Sequence, residues 1–333
     1  MNANERVSAR LQGKSVDKIP NMNIAMALVA KCANVPYSVY VQDYKKLVEG
    51  NLICAETFGF DTVSVISDPV REASAFGAEV VFPENGVPYA IPLLDTDAAD
   101  LKKLQIFDPY TAPRTLDRIK GVERLREKVG KDYPVVGWVE GVLAEVGDLR
   151  GTNRLMLDVI EGGDWFEELL EIVFEQQKRF ALAQIQAGAD FVGIGNAVAS
   201  LIGPALYEEH AIRYDKGLVD FIRANGAKAK LHICGNILPL LPLLKQVEPD
   251  ILDIDWMVDF KQAVDTFADL KTSVSGNLDP VAILMQGNSE IVEKATCACI
   301  AAADDTACIA AGCEVPADSP EENLIAMNRL LYR

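Results

Sequence analysis

Histidine is scarce in this sequence, since the 333 residues include only His210 and His232. Long apolar runs are missing as well: none approaches the roughly 18 residues of a membrane-spanning helix. Residues 1–18 also hold no apolar stretch of the kind found in signal peptides. Seven cysteines, an odd number in a chain without an export signal, argue against a disulfide framework. We therefore expect a cytoplasmic protein with reduced cysteines.

Basic residues are outnumbered, with 32 Lys and Arg against 49 Asp and Glu and a net charge of −17. Such a charge repels nucleic-acid phosphates and anionic lipid, so neither nucleic acid nor a membrane surface is an expected partner. Hydrophobic residues make up 50% of the chain, which supplies a large core and excludes a disordered protein.

Eight short apolar runs rich in β-branched residues alternate with segments of helical periodicity. The runs are 19–24, 62–67, 134–140, 190–196, 229–235, 251–255, 271–276 and 307–313. The clearest helical segments are 114–129, 166–187, 207–225 and 288–303. Because parallel strands need helical crossovers, this alternation predicts an α/β fold, a (β/α)8 barrel of the TIM type. Polar residues at strand ends would then line the mouth of the barrel, where barrel chemistry takes place.

A doubly wound open sheet is the alternative fold, but it requires a Gly-rich phosphate-binding turn after the first strand. Residues 19–28 (IPNMNIAMAL) supply none. The segment 78–98 predicts a small β-hairpin that turns at Glu84-Asn85-Gly86 and decorates the barrel. No linker, repeat or charge block divides the chain, so we predict one domain over residues 1–333.

The sharpest local signal is His232-Ile233-Cys234 in the fifth run. Alternate residues of a strand share a face, so His232 and Cys234 point together, while Leu231 and Ile233 face the helices. An imidazole and a thiol side by side suit zinc, and a catalytic zinc site takes three protein ligands. Cys313, at the end of the eighth run, is the candidate third ligand. The alternative is ordinary packing, because isolated cysteines and histidines are common in protein cores.

The remaining cysteines are interpreted mainly as packing residues. Cys32 and Cys54 fall in helix-like stretches, and Cys297 and Cys299 fall in an Ala-rich helix. Cys308 lies on the same run as Cys313, facing the opposite side if the strand is regular, and could serve as a ligand only if Cys313 does not.

Several motifs together resemble the uroporphyrinogen decarboxylase superfamily, and within it the zinc-dependent methylcobamide:thiol methyltransferases. The matching segments are 13–20 (GKSVDKIP), 188–190 (GAD), 231–236 (LHICGN), 275–280 (SGNLDP), 312–316 (GCEVP) and 320–324 (PEENL). The resemblance runs nearly end to end. It implies a (β/α)8 barrel in which His232, Cys234 and Cys313 hold Zn²⁺. It also implies methyl transfer between methylcobalamin, carried by a corrinoid-binding partner protein, and a small thiol such as coenzyme M.

Polar residues at the other strand ends are candidates for the same pocket. Asp68 and Glu140 are predicted as catalytic residues, with Glu140 or Glu314 as a fourth zinc ligand that substrate displaces. Three further side chains are predicted to bind substrate, namely those of Asn196, Asp255 and Asn277. Each of these residue types also favours caps and loops, which is the structural alternative.

Two aromatic residues and the second histidine complete the candidates. Trp138 and Trp256 stand at strand ends and could contact a corrinoid, although core packing is the simpler interpretation. His210 is placed at the start of a helix as a surface or capping residue.

One departure from the superfamily separates its two activities. True uroporphyrinogen decarboxylases carry an Arg-rich segment soon after the first strand, whereas residues 21–27 (NMNIAMA) contain no arginine. Asp68 does fall where the decarboxylase aspartate would, but decarboxylation of a polycarboxylate is disfavoured. Three alternatives stay open: a donor:corrinoid methyltransferase that removes methyl from oxygen or nitrogen, a non-catalytic zinc- or corrinoid-binding barrel, and a cobalamin-independent methionine synthase. The last is normally far longer and has a second barrel.

Overall fold

The computed structural model describes residues 1–94 and 98–332. Its strands are β1 (Val63–Ser64), β2 (Val80–Val81), β3 (Tyr89–Ala90), β4 (Val135–Glu140), β5 (Phe191–Gly195), β6 (Lys228–Ile233), β7 (Ile251–Ile254), β8 (Ser273–Leu278) and β9 (Cys308–Ala311). Seven of them pair in parallel in the order β1-β4-β5-β6-β7-β8-β9, while β2 and β3 form a separate antiparallel pair. Seven of the eight predicted barrel strands are thus confirmed. The pairing of β2 with β3 across residues 84–86 confirms the predicted hairpin, of which residues 95–97 lie outside the described part.

Helices cover the outside of the sheet and connect its strands. They are α1 (Ala3–Arg10), α2 (Ala27–Cys32), α3 (Tyr37–Tyr40), α4 (Tyr44–Phe58), α5 (Arg71–Phe76), α6 (Pro113–Val129), α7 (Val142–Arg150), α8 (Thr152–Glu161), α9 (Asp164–Gln186), α10 (Ala199–His210), α11 (Ile212–Ala224), α12 (Leu241–Val247), α13 (Phe260–Phe267), α14 (Ser289–Ala302) and α15 (Glu321–Leu330). Two 3₁₀ segments, Ala98–Lys103 and Leu238–Leu240, and one π-helical segment, Pro280–Met285, add to them. Within the described ranges, none of these helices combines the length and apolar character needed to cross a membrane.

Residues 19–24, the predicted first strand, close the barrel without forming a regular strand. Only single bridges join this closing segment to β9 and the residues that follow it. Asn21 pairs with Ile309, and Ile24 pairs with Glu314. On the other side, the Asp61 amide donates to the Asn21 carbonyl at 2.9 Å. The ladder is irregular for two reasons. Pro20 has no N–H to donate, and the Asn21 amide donates to the Asp61 carboxylate at 2.7 Å instead of to a strand.

Two layers of apolar side chains make up the core. Leu231 and Ile233 pack into the larger layer, between sheet and helices, as the alternation of β6 predicts. Trp138, Phe191 and Ile251 belong to a smaller cluster inside the barrel. The mouth of the barrel therefore lies above a filled interior rather than an open pore.

Helices α2 and α4 pack unusually closely because α4 carries Gly50 at the crossing. A Cβ added at Gly50 would lie 2.2 Å from the backbone oxygen of Val29 in α2, a contact that real side chains do not make. The two helices can approach this closely only with glycine at position 50.

We expect Gly50→Ala to lower the free energy of unfolding by about 1–3 kcal/mol, as overpacked cores do. Alanine would gain about 1 kcal/mol of helix propensity, but the clash is with backbone and outweighs that gain. Urea denaturation followed by circular dichroism measures the difference. Gly147→Ala in α7 is the matched control, since its added Cβ would meet its nearest neighbour at an ordinary 3.4 Å. Equal stability of the two variants would contradict this account of the crossing.

Candidate metal centre

The three predicted metal ligands converge at the mouth of the barrel. His232 lies in β6, Cys234 follows that strand directly, and Cys313 lies two residues beyond β9. Their ligand atoms all lie within 4.8 Å of one another, and they form the only such group of metal-ligating side chains within the described residues. Nε2 of His232 is 3.1 Å from the sulfur of Cys234 and 3.8 Å from that of Cys313. The two sulfurs are 3.8 Å apart.

The separation of the two sulfurs matches that of a tetrahedral zinc site. Zinc bound at about 2.3 Å to each of two sulfurs holds them about 3.8 Å apart, and a histidine nitrogen binds at about 2.0–2.1 Å. The observed sulfur–sulfur distance is the same, and two sulfurs with one imidazole are a donor set that zinc prefers. Three protein ligands leave one coordination position, which is the arrangement of catalytic rather than structural zinc sites.

A glycine brings Cys313 to this position. β6 and β9 are separated in the sheet by β7 and β8. The chain after β9 must therefore pass close to the loop after β7. A Cβ added at Gly312 would lie 2.1 Å from the backbone nitrogen of Trp256 in that loop. Glycine thus allows the close approach that carries Cys313 towards His232.

Behind the imidazole stands a carboxylate that the sequence analysis did not assign. Asp253 is the register partner of His232 on β7. The backbone carbonyl of Asp253 is the hydrogen-bond partner of Nδ1 of His232, at 3.2 Å, and the carboxylate Oδ2 lies 3.1 Å from the same nitrogen as a charge contact. Its Oδ1 lies 3.4 Å from Nζ of Lys230. Such a carboxylate fixes the tautomer and orientation of a metal-binding histidine. The signal in the sequence was a charged residue inside an apolar run, residues 251–255. The structure shows that Asp253 is only 1% exposed.

The two sulfurs share their protons unequally. Hydrogen bonding from Cys234, together with contacts to the imidazole, lowers the pKa of the Cys313 thiol to about 4. The same contact raises the pKa of Cys234. Burial alone would lower the pKa of His232, but the neighbouring sulfurs and Asp253 raise it well above its usual value. The site therefore favours a thiolate, which is the form that binds metal.

A cavity of about 160 Å³ adjoins the three ligand atoms. Its other lining residues are Ile24, Met26, Ile66, Asp68, Pro69, Trp138, Glu140, Gly195, Asn196, Ala197 and Glu314. The structure thus places three predicted pocket residues, Asp68, Glu140 and Asn196, at this cavity. The amide oxygen of Asn196 is buried there without a hydrogen-bond partner, while its Nδ2 donates to both oxygens of Asp215 at 3.0 Å.

The other two predicted substrate-binding residues lie outside the cavity lining and brace loops instead. Asp255 accepts hydrogen bonds from the amides of Gly235 and Met257. Asn277 donates through Nδ2 to the carbonyls of Asp255 and Val258. Both bracing contacts hold the loops that follow β6 and β7, so these residues support the mouth of the barrel without facing it.

Two buried arginines, which the sequence analysis missed, hold the carboxylates of the cavity. Nη2 of Arg114 donates to Asp68 Oδ2 at 2.5 Å, and Nη2 of Arg71 donates to Glu140 Oε1 at 2.8 Å. Burial alone would raise the pKa of Asp68, but Arg114 and Arg71 outweigh it and the pKa is lowered. For Glu140, burial prevails over Arg71 and raises the pKa well above its usual value. Arginines from α5 and α6 thus reach the carboxyl groups that line the cavity, although residues 21–27 contain no arginine.

Glu314, the second candidate for a fourth ligand, has a structural contact. Its Oε1 accepts hydrogen bonds from the backbone amides of Ala27 at 2.6 Å and Met26 at 3.2 Å, at the start of α2. Burial raises the pKa of this carboxyl to about 7. The contact ties α2 to the residue next to Cys313.

Three minor predictions are corrected by the structure. His210 ends α10 rather than starting a helix, and it is buried against the ring of Phe166 at 5.5 Å, not on the surface. The predicted helix 207–225 is in fact interrupted at Ala211 between α10 and α11. Trp256 is 46% exposed, so core packing is the wrong interpretation for it, whereas Trp138 does pack inside the barrel.

Comparison with known proteins identifies the family. A model of the family described as uroporphyrinogen decarboxylase (URO-D) matches residues 2–332. The chain belongs to this family. The TIM-type (β/α)8 barrel and the superfamily resemblance are therefore both confirmed.

Relatives within the family include proteins with both of its activities. A methylcobamide:CoM methyltransferase (MtbA) of Methanosarcina mazei is 30% identical over 272 residues, which cover 81% of this chain and 78% of the relative. A uroporphyrinogen decarboxylase of Carboxydothermus hydrogenoformans is 26% identical over 242 residues, or 66% of this chain and 68% of that protein. The solved structure of a methyltransferase from Methanosarcina mazei superimposes with a TM-score of 0.89 at 22% identity, covering 98% of this chain and 97% of the other. Family membership alone therefore leaves the chemistry to be decided by the site.

Proposed function

We propose that this chain is a zinc-dependent corrinoid methyltransferase. It would move a methyl group between a corrinoid, held by a partner protein, and a small thiol such as coenzyme M. The observation that carries the proposal is the convergence of His232, Cys234 and Cys313, with ligand atoms 3.1–3.8 Å apart, beside a small cavity. The name of the methyltransferase relative from Methanosarcina mazei supports the same reaction.

The donor set fits zinc, with His232, Cys234 and Cys313 as its ligands. When bound, zinc would act as a Lewis acid that keeps a coordinating thiol deprotonated at neutral pH. Asp253 holds Nδ1 of His232, so Nε2 is the nitrogen available towards the two sulfurs. The thiolates of Cys234 and Cys313 would balance the charge of Zn²⁺, so that a substrate thiolate held beside them would stay electron-rich and nucleophilic.

The cavity residues would position the thiol. Asn196 offers an unpartnered amide oxygen that can accept a hydrogen bond from a substrate. Asp68 and Glu140 line the cavity and are paired with Arg114 and Arg71. Glu140 would be the residue to supply a fourth ligand to zinc in the absence of substrate. In the proposed reaction, the substrate thiol would lose its proton to solvent and its sulfur would form a bond to the methyl carbon. The bond between that carbon and cobalt would break, and its electron pair would remain with the corrinoid.

The size of the cavity argues against a tetrapyrrole inside it. Drug-sized ligands occupy roughly 300–1,000 Å³, whereas this cavity holds about 160 Å³. A thiol of a few heavy atoms fits, and a corrinoid would present its methyl group from the mouth. Decarboxylation of uroporphyrinogen in this cavity is accordingly disfavoured.

Zinc analysis combined with a methyl-transfer assay tests the proposal. The purified chain should hold about one zinc ion, and with methylcobalamin and a panel of small thiols it should form the methyl thioether and cob(I)alamin. Zinc without turnover for any thiol would contradict it. Formation of methylcobalamin from cob(I)alamin and a methoxy or methylamine donor would instead identify a donor:corrinoid methyltransferase. Zinc with neither reaction would indicate a non-catalytic barrel.

A further inference from the structure

Two cysteines outside the candidate metal centre lie in direct contact. Cys32 is the last residue of α2, and Cys54 lies in α4, one helical turn after Gly50. Their sulfurs are 3.4 Å apart. The close crossing of α2 and α4 at Gly50 and Val29 holds the pair together, since both sulfurs lie just beyond that crossing.

The two thiols differ in access and acidity, as thiol–disulfide exchange requires. Cys54 is buried, whereas Cys32 is partly exposed and open to a small reagent. Hydrogen bonding from Cys54 lowers the pKa of the Cys32 thiol, so Cys32 is the more readily ionised partner. An accessible thiolate with a second thiol behind it is the arrangement of a redox-active pair.

We propose that Cys32 and Cys54 form a redox-active dithiol that closes to a disulfide in exchange with a small-molecule disulfide. The thiolate of Cys32 attacks one sulfur of the disulfide RSSR, giving a mixed disulfide and releasing one thiolate RS⁻. Cys54 then loses its proton and attacks the sulfur of Cys32, which releases the second RS⁻. In the net reaction two protein thiols are oxidised and one RSSR is reduced to two RSH. The inference uses no residue of the proposed methyltransferase site.

Mapping of the disulfide tests this directly on the zinc-loaded protein. After incubation with glutathione disulfide, free thiols are blocked with iodoacetamide and the chain is cut with trypsin. Cleavage after Lys45 and Lys46 places Cys32 and Cys54 on separate peptides. The expected result is one cross-linked pair of the peptides 32–45 and 47–71, which disappears on reduction.

A resolving-cysteine variant separates the two steps. Cys54→Ser should stop at a mixed disulfide of Cys32 with one glutathione, because no second thiol is present to displace it. Cys297 is exposed in α14 and reports whether the reagent has reacted, and Cys297→Ser should leave the cross-link unchanged. The proposal is overturned if Cys297 is glutathionylated while Cys32 and Cys54 both stay alkylatable. A stable mixed disulfide on Cys32 in the wild-type chain, or a cross-link of Cys234 to Cys313 alone, would overturn it equally.

Discussion

Replacing Cys313 with alanine is expected to remove zinc from the protein and to abolish methyl transfer. Cys313 supplies one of the two sulfurs and the only contribution from β9, so the variant keeps just the His232 and Cys234 pair. Changes in residues that merely support a ligand typically cost 10–100-fold in metal affinity. Loss of a direct ligand should therefore weaken zinc binding by more than about 100-fold. Competition with a chromogenic chelator measures the affinity, and cob(I)alamin formation measures the activity.

Cys308→Ala is the matched control for this experiment. Cys308 lies five residues earlier, at the start of β9, and it is fully buried in the cluster inside the barrel. It should keep stoichiometric zinc and methyl transfer. If Cys308→Ala lost zinc while Cys313→Ala retained it, the ligand assignment would be wrong and the alternative cysteine would take its place.

Asp253→Asn is expected to weaken zinc binding by about 10–100-fold without removing any ligand. The substitution keeps the size of the side chain and the backbone carbonyl that contacts Nδ1 of His232, but it removes the negative charge 3.1 Å from that nitrogen. It also leaves Lys230 as a buried cation without its carboxylate, which costs about 3–5 kcal/mol in comparable pairs. Zinc affinity by chelator competition and unfolding in urea measure the two effects separately.

Two further variants separate the effect on zinc affinity from the effect on stability. Asp255→Asn, two residues later, changes loop hydrogen bonds to Gly235 and Met257 but not the contact with His232, so its zinc affinity should stay close to that of the wild type. Adding Lys230→Met to Asp253→Asn should recover stability without recovering affinity. Wild-type zinc affinity in Asp253→Asn would show that the carboxylate does not orient the ligand.

The local pattern of the sequence identified the candidate ligands, and the family resemblance favoured metal binding over ordinary packing for them. Alternation along β6 puts His232 and Cys234 on one face, and the sheet geometry then directs both away from the helices that cover Leu231 and Ile233. Cys313 was predictable because parallel strands all end at the same rim. These inferences depend only on strand period and direction, which sequence encodes locally.

Strand period and direction do not predict contacts between segments that are distant in the sequence. Arg71 and Arg114 meet Glu140 and Asp68 across long stretches of chain, and no spacing in the sequence signals these pairs. His210 is buried because α10 packs it on Phe166, which a helical pattern alone does not reveal. The closing segment, residues 19–24, failed as a regular strand for an equally specific reason.

That reason is the carboxylate of Asp61, which is only 2% exposed. This carboxylate accepts a hydrogen bond from the Asn21 amide and forms ion pairs with the side chains of Arg6 and Lys18, all at 2.6–2.9 Å. A buried anion surrounded by donors satisfies a backbone N–H that a neighbouring strand would otherwise take. Tertiary electrostatics therefore override strand propensity at this position.

The closing segment meets the far end of the sheet through Ile24, whose carbonyl accepts the Val315 amide at 2.8 Å, two residues beyond Cys313. The segment that contains Cys313, a candidate zinc ligand, is therefore also the segment that closes the barrel. Occupancy of the ion site and integrity of the seam are for this reason linked equilibria. A ligand that binds only the closed form stabilises that form by mass action, so bound metal would stabilise the junction between residues 19–24 and the chain after β9.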